Sequence, residues 1–262
     1  PILMYDGSIK LVQDIKIGEQ LMGDDSTPRE VLTLARGSEM MYKISSDKGD
    51  TYIVNESHIL SLKCVRAYKD LYKKNEIIDI SIKDYLNFPF VFNGTNDILM
   101  GYKTPILFYK KKVTIDPYNY GNNLTSSTLS IENIYKHNSW GVQINVLAGI
   151  IDKFAVISKN TFEISNLSET LLKDILFITR SLGFEGYKNK YNTIKINGEG
   201  LQNIPTKKQK LKRNITLQNG LCMKITVEKH KIDNYYGFEI DKNRRFVLGD
   251  FTVTHNTVMA LN

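Results

Sequence analysis

The sequence predicts a mainly β domain formed by both ends of the chain, with an inserted α/β segment between them. Three observations support this prediction. Short strand-like runs separated by glycine turns fill residues 1–112. Residues 113–218 become polar and then show two amphipathic helical patterns. Strand-like sequence returns over residues 219–256. Because a chain is most easily interrupted at a surface loop, this order indicates one domain inserted into a loop of another.

The first part reads as a series of hairpins. Asp6-Gly7 is a dipeptide favoured in tight turns that need positive φ, and Lys48-Gly49-Asp50 gives a second such signal. Gly18 and Gly37 are expected to end strands. Strands at this spacing favour a coiled β sheet over a βαβ fold. The predicted strands are residues 1–5, 9–17, 29–34, 41–44, 52–54 and 58–65, and then 223–227, 235–240, 246–248 and 251–254.

The predicted insert contains two helices and a strand. Residues 143–154 place Ile144, Leu147, Ala148 and Ile151 on one helical face. A strand is expected over residues 162–167. A second amphipathic helix then follows Ser168 as N-cap, and Gly183 is its expected stop.

Composition excludes several classes of protein. With 42% hydrophobic and 24% charged residues, the 262-residue chain is expected to be globular rather than disordered. Its apolar runs fall far short of the ~20 residues of a membrane helix. Cys64 and Cys222 are too few for a disulfide scaffold, which predicts free thiols in a reducing compartment. The net charge of +7 permits nucleic-acid contact without requiring it.

The segment with the clearest chemistry is His255-Asn256-Thr257. An asparagine amide can attack its own backbone carbonyl and cut the chain after itself. A neighbouring histidine is suited to the acid–base work at neutral pH. The Thr257 hydroxyl, just after the cut, can accept an acyl group.

A second histidine extends this pattern. His58 closes the run Asn55-Glu-Ser-His58, which resembles the Thr-x-x-His motif of inteins, the self-splicing protein inserts with a Hint fold. Residues 2–7 resemble the early intein strands, and residues 235–256 resemble the C-terminal intein motifs. The resemblance covers nearly the whole chain.

The resemblance implies roles for four residues. His58 would help to activate the upstream scissile peptide bond, and His255 would assist cyclisation. Asn256 would cyclise and release the insert. Thr257 would be the first residue of the downstream host segment, residues 257–262, and the nucleophile of the branched intermediate.

Several positions depart from the family pattern. Pro1 offers no thiol or hydroxyl for the opening acyl shift, which the family's first Cys or Ser performs. Asn55 replaces the motif threonine and is expected to donate a hydrogen bond to the scissile carbonyl. Gly237 and Arg244 stand where the family often has Asp and His, and an arginine cannot act as a neutral base. Thr254 is included with them as a supporting residue.

Residues 147–155, Leu-Ala-Gly-Ile-Ile-Asp-Lys-Phe-Ala, resemble the LAGLIDADG motif of homing endonucleases. Small residues such as Gly149 let two such helices approach closely, and a final acid binds a divalent metal. Phe154 replaces that acid, and Asp152 is the earlier acid of the motif. Residues 114–122 look like the lead-in to a first copy whose helix has been lost. The insert is therefore interpreted as a degenerate endonuclease without a metal site.

Together these features predict an autocatalytic, single-turnover protein-splicing activity that needs no cofactor. The chain would be a precursor without its first nucleophile or the larger piece of a split intein served by a short N-terminal peptide in trans. The expected partner is a host protein, whose segments on either side of the insert are called exteins. The downstream host residues 257–262 suggest that this host is a P-loop NTPase or helicase. DNA binding is expected to be weak or lost, with no membrane association. A monomer that follows its host into the cytoplasm or nucleus is expected.

Three alternatives stay open at this stage. The first is an active site-specific endonuclease, which would cleave DNA in a magnesium-dependent reaction. The second is a residual DNA-binding module, which would bind in a salt-sensitive manner without cleavage. The third is a relative of hedgehog-type autoprocessing domains, which lack the terminal asparagine step.

Overall fold

The computed structural model describes residues 1–69, 71–89, 91, 94–208, 211 and 220–256. The chain divides into two compact units. Unit 1 combines Pro1–Thr104 with Cys222–Asn262, and unit 2 is Pro105–Leu221. The sequence predicts an insert over residues 113–218, a range that lies within unit 2.

Most of the regular structure is β. None of the helices in the described part of the chain has the length and hydropathy that a membrane crossing requires. The strands are Ile2–Leu3 (β1), Ile9–Lys10 (β2), Gln20–Met22 (β3), Pro28–Ser46 (β4), Thr51–Asn55 (β5), Ile59–Cys64 (β6), Ile77–Ser81 (β7), Leu99–Tyr102 (β8), Ala155–Ser158 (β9), Thr161–Ile164 (β10), Glu185–Lys188 (β11), Ile194–Asn197 (β12), Cys222–Met223 (β13), Ile225–Ile240 (β14), Arg245–Val247 (β15) and Val253–His255 (β16). The α-helices are Ile82–Leu86 (α1), Pro117–Asn123 (α2), Asn133–Lys136 (α3), Trp140–Phe154 (α4) and Glu169–Ser181 (α5), and short 3₁₀ turns cover Val12–Asp14 and Leu201–Asn203.

A four-stranded sheet of order β14-β4-β3, in which β5 also pairs with β4, joins the two ends of the chain in unit 1. Strand β14 runs antiparallel to β4 over almost its whole length. The expectation that Gly37 ends a strand is wrong, because β4 continues through it. Gly37 lies opposite Tyr235, and a Cβ added at Gly37 would come within 2.6 Å of the Tyr235 ring. The glycine therefore makes room for an aromatic ring rather than for a turn.

The second sheet of unit 1 has the strand order β13-β8-β6-β16-β15, and β7 pairs with β6. Strand β16, from the end of the chain, lies between β6 and β15. His255 pairs with Arg245 on one side and with Ile59 on the other. This pairing places the C-terminal His-Asn beside the segment that follows His58. The apolar side chains of the sheet, among them Leu60, Leu62 and Ile80, contribute to one core cluster of the unit.

The N-terminal hairpin differs from the sequence-based prediction. Strands β1 and β2 pair as expected across Asp6-Gly7, but Gly7 alone of this dipeptide has positive φ. The predicted strand over residues 9–17 ends at Lys10 and gives way to the 3₁₀ turn Val12–Asp14. Ile15 then turns inward and is almost fully buried.

Unit 2 is built on a pair of helices that meet through glycines. A Cβ at Gly149 of α4 would lie 2.2 Å from the carbonyl oxygen of Tyr118, and one at Gly121 of α2 would lie 2.2 Å from that of Val146. The expectation that the first motif copy has lost its helix is therefore wrong in part. A short helix remains at Pro117–Asn123 and packs against α4.

The rest of unit 2 surrounds this pair. A four-stranded sheet has the order β11-β12-β10-β9. The Ser168 side chain caps α5 by accepting a hydrogen bond from the Leu171 amide at 3.2 Å. Gly183 follows the helix with φ of +87°, the conformation expected after a helix end. The buried faces of α4 and α5 and the sheet share one hydrophobic core.

Candidate functional site

Unit 1 contains a cavity of about 670 Å³ that gathers residues from both ends of the chain. Pro1 reaches it from the first strand, and Asn55 and His58 reach it from the turn between β5 and β6. Thr254 and Asn256 reach it from the last strand. Residues separated by about 200 positions thus border one space, because β16 inserts beside β6.

His58 is held at the wall of this cavity. Its Nε2 lies 2.7 Å from the Thr254 hydroxyl oxygen. Its amide donates to the Asn55 carbonyl at 3.1 Å, which closes the Asn55–His58 turn. Burial, and secondarily the nearby His255, lower the pKa of His58 to about 3. The ring is therefore neutral near pH 7.

His255 and Asn256 are positioned by the backbone of β16. The Asn256 amide donates to the Arg244 carbonyl at 2.9 Å. Asn256 is buried, and its side-chain nitrogen has no hydrogen-bond partner among the described residues. The same holds for His255 Nδ1. Burial is the main cause that lowers the pKa of His255. Asparagine cyclisation needs an uncommitted amide nitrogen, and the preceding residue carries an imidazole that burial keeps neutral near pH 7.

Asn55, which lines the same cavity, is part of a small hydrogen-bond network. Its side-chain nitrogen donates to Ser57 Oγ at 2.7 Å and to Glu39 Oε2 at 3.1 Å. Ser57 donates to the same Glu39 oxygen at 3.0 Å. Both amide protons of Asn55 are thus engaged. For Asn55 to donate to a scissile carbonyl, as the sequence predicts, one of these bonds must be exchanged.

Gly237 and Arg244 are placed differently with respect to the cavity. Gly237 lines the cavity, and its carbonyl accepts from Arg36 at 3.0 Å. Arg244 has φ of +60°, and its half-exposed side chain lies 3.6 Å from Glu239. Arg244 contacts Asn256 through its backbone carbonyl. Thr257 lies outside the described residues.

Two charged groups near the site were missed from sequence. Lys103 bridges Asp50 at 2.8 Å and Asp250 at 2.9 Å, and so connects the turns before β5 and β16. Arg245 pairs with Asp79 at 2.7 Å. No local pattern could have found them, because the partners are separated by 53 to 166 residues.

The remaining predicted residues lie in unit 2. Asp152 is buried on α4 and accepts hydrogen bonds from the Tyr118 hydroxyl at 2.8 Å and from the amides of Lys207 and Lys208 at 2.5 and 2.9 Å. Phe154, at the end of the helix, packs against the core of the unit.

Residues 1–88 match a family model described as Hom_end-associated Hint. Residues 1–88 are therefore similar to a Hint domain. Residues 222–256 fold in the same compact unit as this matched segment, and they complete its cavity from the far end of the chain.

Other similarities are shorter or weaker. A 43-residue stretch is 44% identical to the catalytic subunit of the V-type proton ATPase of Candida tropicalis. It covers 16% of this chain and 4% of that protein, so the chain spans a small part of the length of this relative. A crystal structure of the gp41-1 intein is 10% identical, with a TM-score of 0.38 over 97% of this chain and 92% of the other. A triple variant of the same intein gives 0.37 at 10% identity, over 97% and 93%. At these TM-scores, neither structural match supports a conclusion about the fold or the function of this chain.

The low pKa of His58 predicts that unit 1 is acid-sensitive. In the unfolded chain its pKa is 6.5, against about 3 when folded, so stability is retained above pH 6.5 and lost as the pH falls towards 3. We expect a fall from pH 7 to 4 to cost about 2 kcal/mol through this group, less than the full shift implies because the ring borders the cavity. Urea unfolding followed by circular dichroism measures it.

His58→Gln should remove this part of the pH dependence, because glutamine does not titrate. Asn87→Ala, at an exposed residue that does not titrate, is the control and should keep the wild-type pH dependence. Equal pH dependence in wild type and His58→Gln would contradict the assignment.

Proposed function

We propose that this chain carries out intein-type protein splicing through the Hint-domain cavity. One observation supports this above the others. Pro1, Asn55, His58 and Asn256, from opposite ends of the chain, border a single cavity. Upstream and downstream scissile bonds must be brought together for splicing, and this cavity is where the two ends approach.

In the proposed reaction, the Asn256 side-chain nitrogen attacks the Asn256 carbonyl carbon. The peptide bond to Thr257 breaks, and the Thr257 nitrogen takes a proton as the succinimide forms. His255 supplies the hydrogen bond that polarises this step. His58, which is neutral at pH 7, helps to activate the upstream scissile peptide bond. Pro1 offers no thiol or hydroxyl, so the proposed upstream acyl shift needs a Cys or Ser that residues 1–262 do not place at this point.

The experiment that tests splicing is an intact-mass measurement after adding a synthetic peptide. The peptide carries a few host residues, an intein-type cysteine and a short bridge to Pro1. We expect host residues joined to residues 257–262 and a shortened chain that ends at Asn256. Loss of residues 257–262 without joining would show cyclisation uncoupled from the upstream step. An unchanged mass would contradict the proposal.

We also propose that unit 2 is a degenerate LAGLIDADG endonuclease. The glycine contacts between α2 and α4 support a paired-helix origin. Asp152 is occupied by Tyr118 and two backbone amides, and Phe154 offers no ligand for a metal. In addition, α2 ends at Asn123. It therefore stops before the position at which a metal-binding acid of its own would lie.

Phe154→Asp is therefore expected to leave the protein without magnesium-dependent DNA cleavage. A single carboxylate at the end of α4 has no counterpart on α2. Plasmid-library cleavage with and without Mg²⁺ checks this, and the wild-type chain is the control. Cleavage by the variant alone would show that one acid was the missing part.

The host protein is proposed on sequence alone. The tail over residues 257–262 lies outside the described residues, and its resemblance to the end of a phosphate-binding loop suggests an NTPase or helicase host. A monomeric insert that shares the compartment of its host is the accompanying proposal. Size-exclusion chromatography with light scattering tests the monomer.

A further inference from the structure

His255 faces a charged pair rather than the cavity. His255 is not among the described residues that line the cavity, whereas its neighbours Thr254 and Asn256 are. Side chains alternate along a strand, so His255 points to the other face of β16. Arg245 lies directly opposite His255 on β15.

Arg245 makes a two-pronged contact with Asp79. Its Nε lies 3.1 Å from both carboxylate oxygens, and its Nη2 lies 2.7 Å from Oδ2. Ser61 donates to Asp79 Oδ1 at 2.6 Å, which fixes the carboxylate further. The side chains of Arg245 and Asp79 are about one-fifth and one-quarter exposed, at 20% and 26%. A two-pronged pair of this kind is geometrically specific and holds its two charges in place.

Other groups lie near Arg245 or His255. Asp24 Oδ2 lies 3.8 Å from Arg245 Nη1, and Tyr102 of β8 is close enough to Arg245 to affect its pKa. His58 approaches from the side of β6. After burial, Asp79 raises the pKa of His255, and Arg245 and Arg244 lower it. The pair thus acts on His255 with opposite signs that partly cancel.

We propose that Arg245 and Asp79 are positioning residues that act through His255 and set the pH range in which Asn256 cyclises. The inference rests on the proposed splicing function. The Asp79 carboxylate alone would favour a charged imidazole, and the Arg245 guanidinium alone would disfavour it. Held together opposite His255, they offset each other's effect on an imidazole that burial keeps neutral, and they leave its Nδ1 uncommitted.

The test measures the pH profile of release of residues 257–262 by mass spectrometry in Arg245→Met and Asp79→Asn. Arg245→Met leaves Asp79 unbalanced, so the inflection that belongs to His255 should move up by about 1 pH unit. Asp79→Asn leaves Arg245 unbalanced, so the inflection should move down. A change that only loosened the structure would slow release without shifting the two profiles in opposite directions.

Two further variants serve as controls. Arg245→Lys keeps the positive charge and should restore most of the wild-type inflection. Asp97→Asn removes an exposed ion pair with Lys224 in the same unit and should leave the profile unchanged. Circular dichroism melting confirms that each variant is folded.

Imidazole NMR titration of His255, assigned with His255→Gln, provides a readout that does not depend on splicing. Opposite shifts of this titration in the two variants support the inference, and coincident titrations overturn it. If titrations shift but the wild type never releases residues 257–262, the proposed function fails instead. If Asn256-dependent release proceeds with identical profiles in all variants, the inference fails and the function stands.

Discussion

Asn256→Ala is expected to abolish release of residues 257–262 completely. The step needs a side-chain amide nitrogen that can reach the carbonyl of its own residue, and alanine has none. In the structure this nitrogen is buried without a hydrogen-bond partner in the described ranges, so no other group competes for it. Intact mass after prolonged incubation at neutral pH measures the loss. By contrast, His255→Gln should only slow release, by about 10²-fold to 10⁴-fold, as expected for a removed acid–base group.

Asn87→Ala is the matched control, because Asn87 is an exposed asparagine at the end of α1. It should release the tail at the wild-type rate. Persistent release from Asn256→Ala would remove Asn256 from the mechanism and leave background hydrolysis or a different residue as the cause.

Gly149→Ala is expected to destabilise unit 2 by about 3 kcal/mol or more. The added Cβ would lie 2.2 Å from the Tyr118 carbonyl oxygen and 2.6 Å from the Asn122 amide nitrogen. Both contacts are backbone atoms, so a whole helix must shift to relieve them. Trp140, the single tryptophan of the chain, begins α4 and reports on unit 2 by fluorescence during urea unfolding.

Gly141→Ala on the same helix is its control. No atom lies within 4 Å of a Cβ added there. Replacing this glycine should leave stability unchanged or raise it by up to about 1 kcal/mol, because alanine is the better helix former. Equal urea midpoints for the two variants would contradict the close approach of α2 and α4.

The order of elements was largely predictable from local patterns. The β, then α/β, then β order and the positions of α4 and α5 follow from hydrophobic periodicity and from Ser168 and Gly183. The lengths of strands were not predictable in the same way. Gly37 reads as a turn in sequence, yet it lies within β4 because Tyr235, almost 200 residues later, packs over it. Likewise, the sequence of α2 shows no strong helical pattern. The helix forms because it packs against α4.

Local sequence was enough to name candidates for the chemistry. His58, His255 and Asn256 stand in short motifs whose residue types suit peptide-bond rearrangement. The groups around them became visible in the fold alone: Thr254 at His58, Glu39 at Asn55, and the Arg245–Asp79 pair on the His255 side of β16. The reason is physical. A protonation state depends on burial and on charges within a few ångströms, and strands pair residues that no local pattern connects.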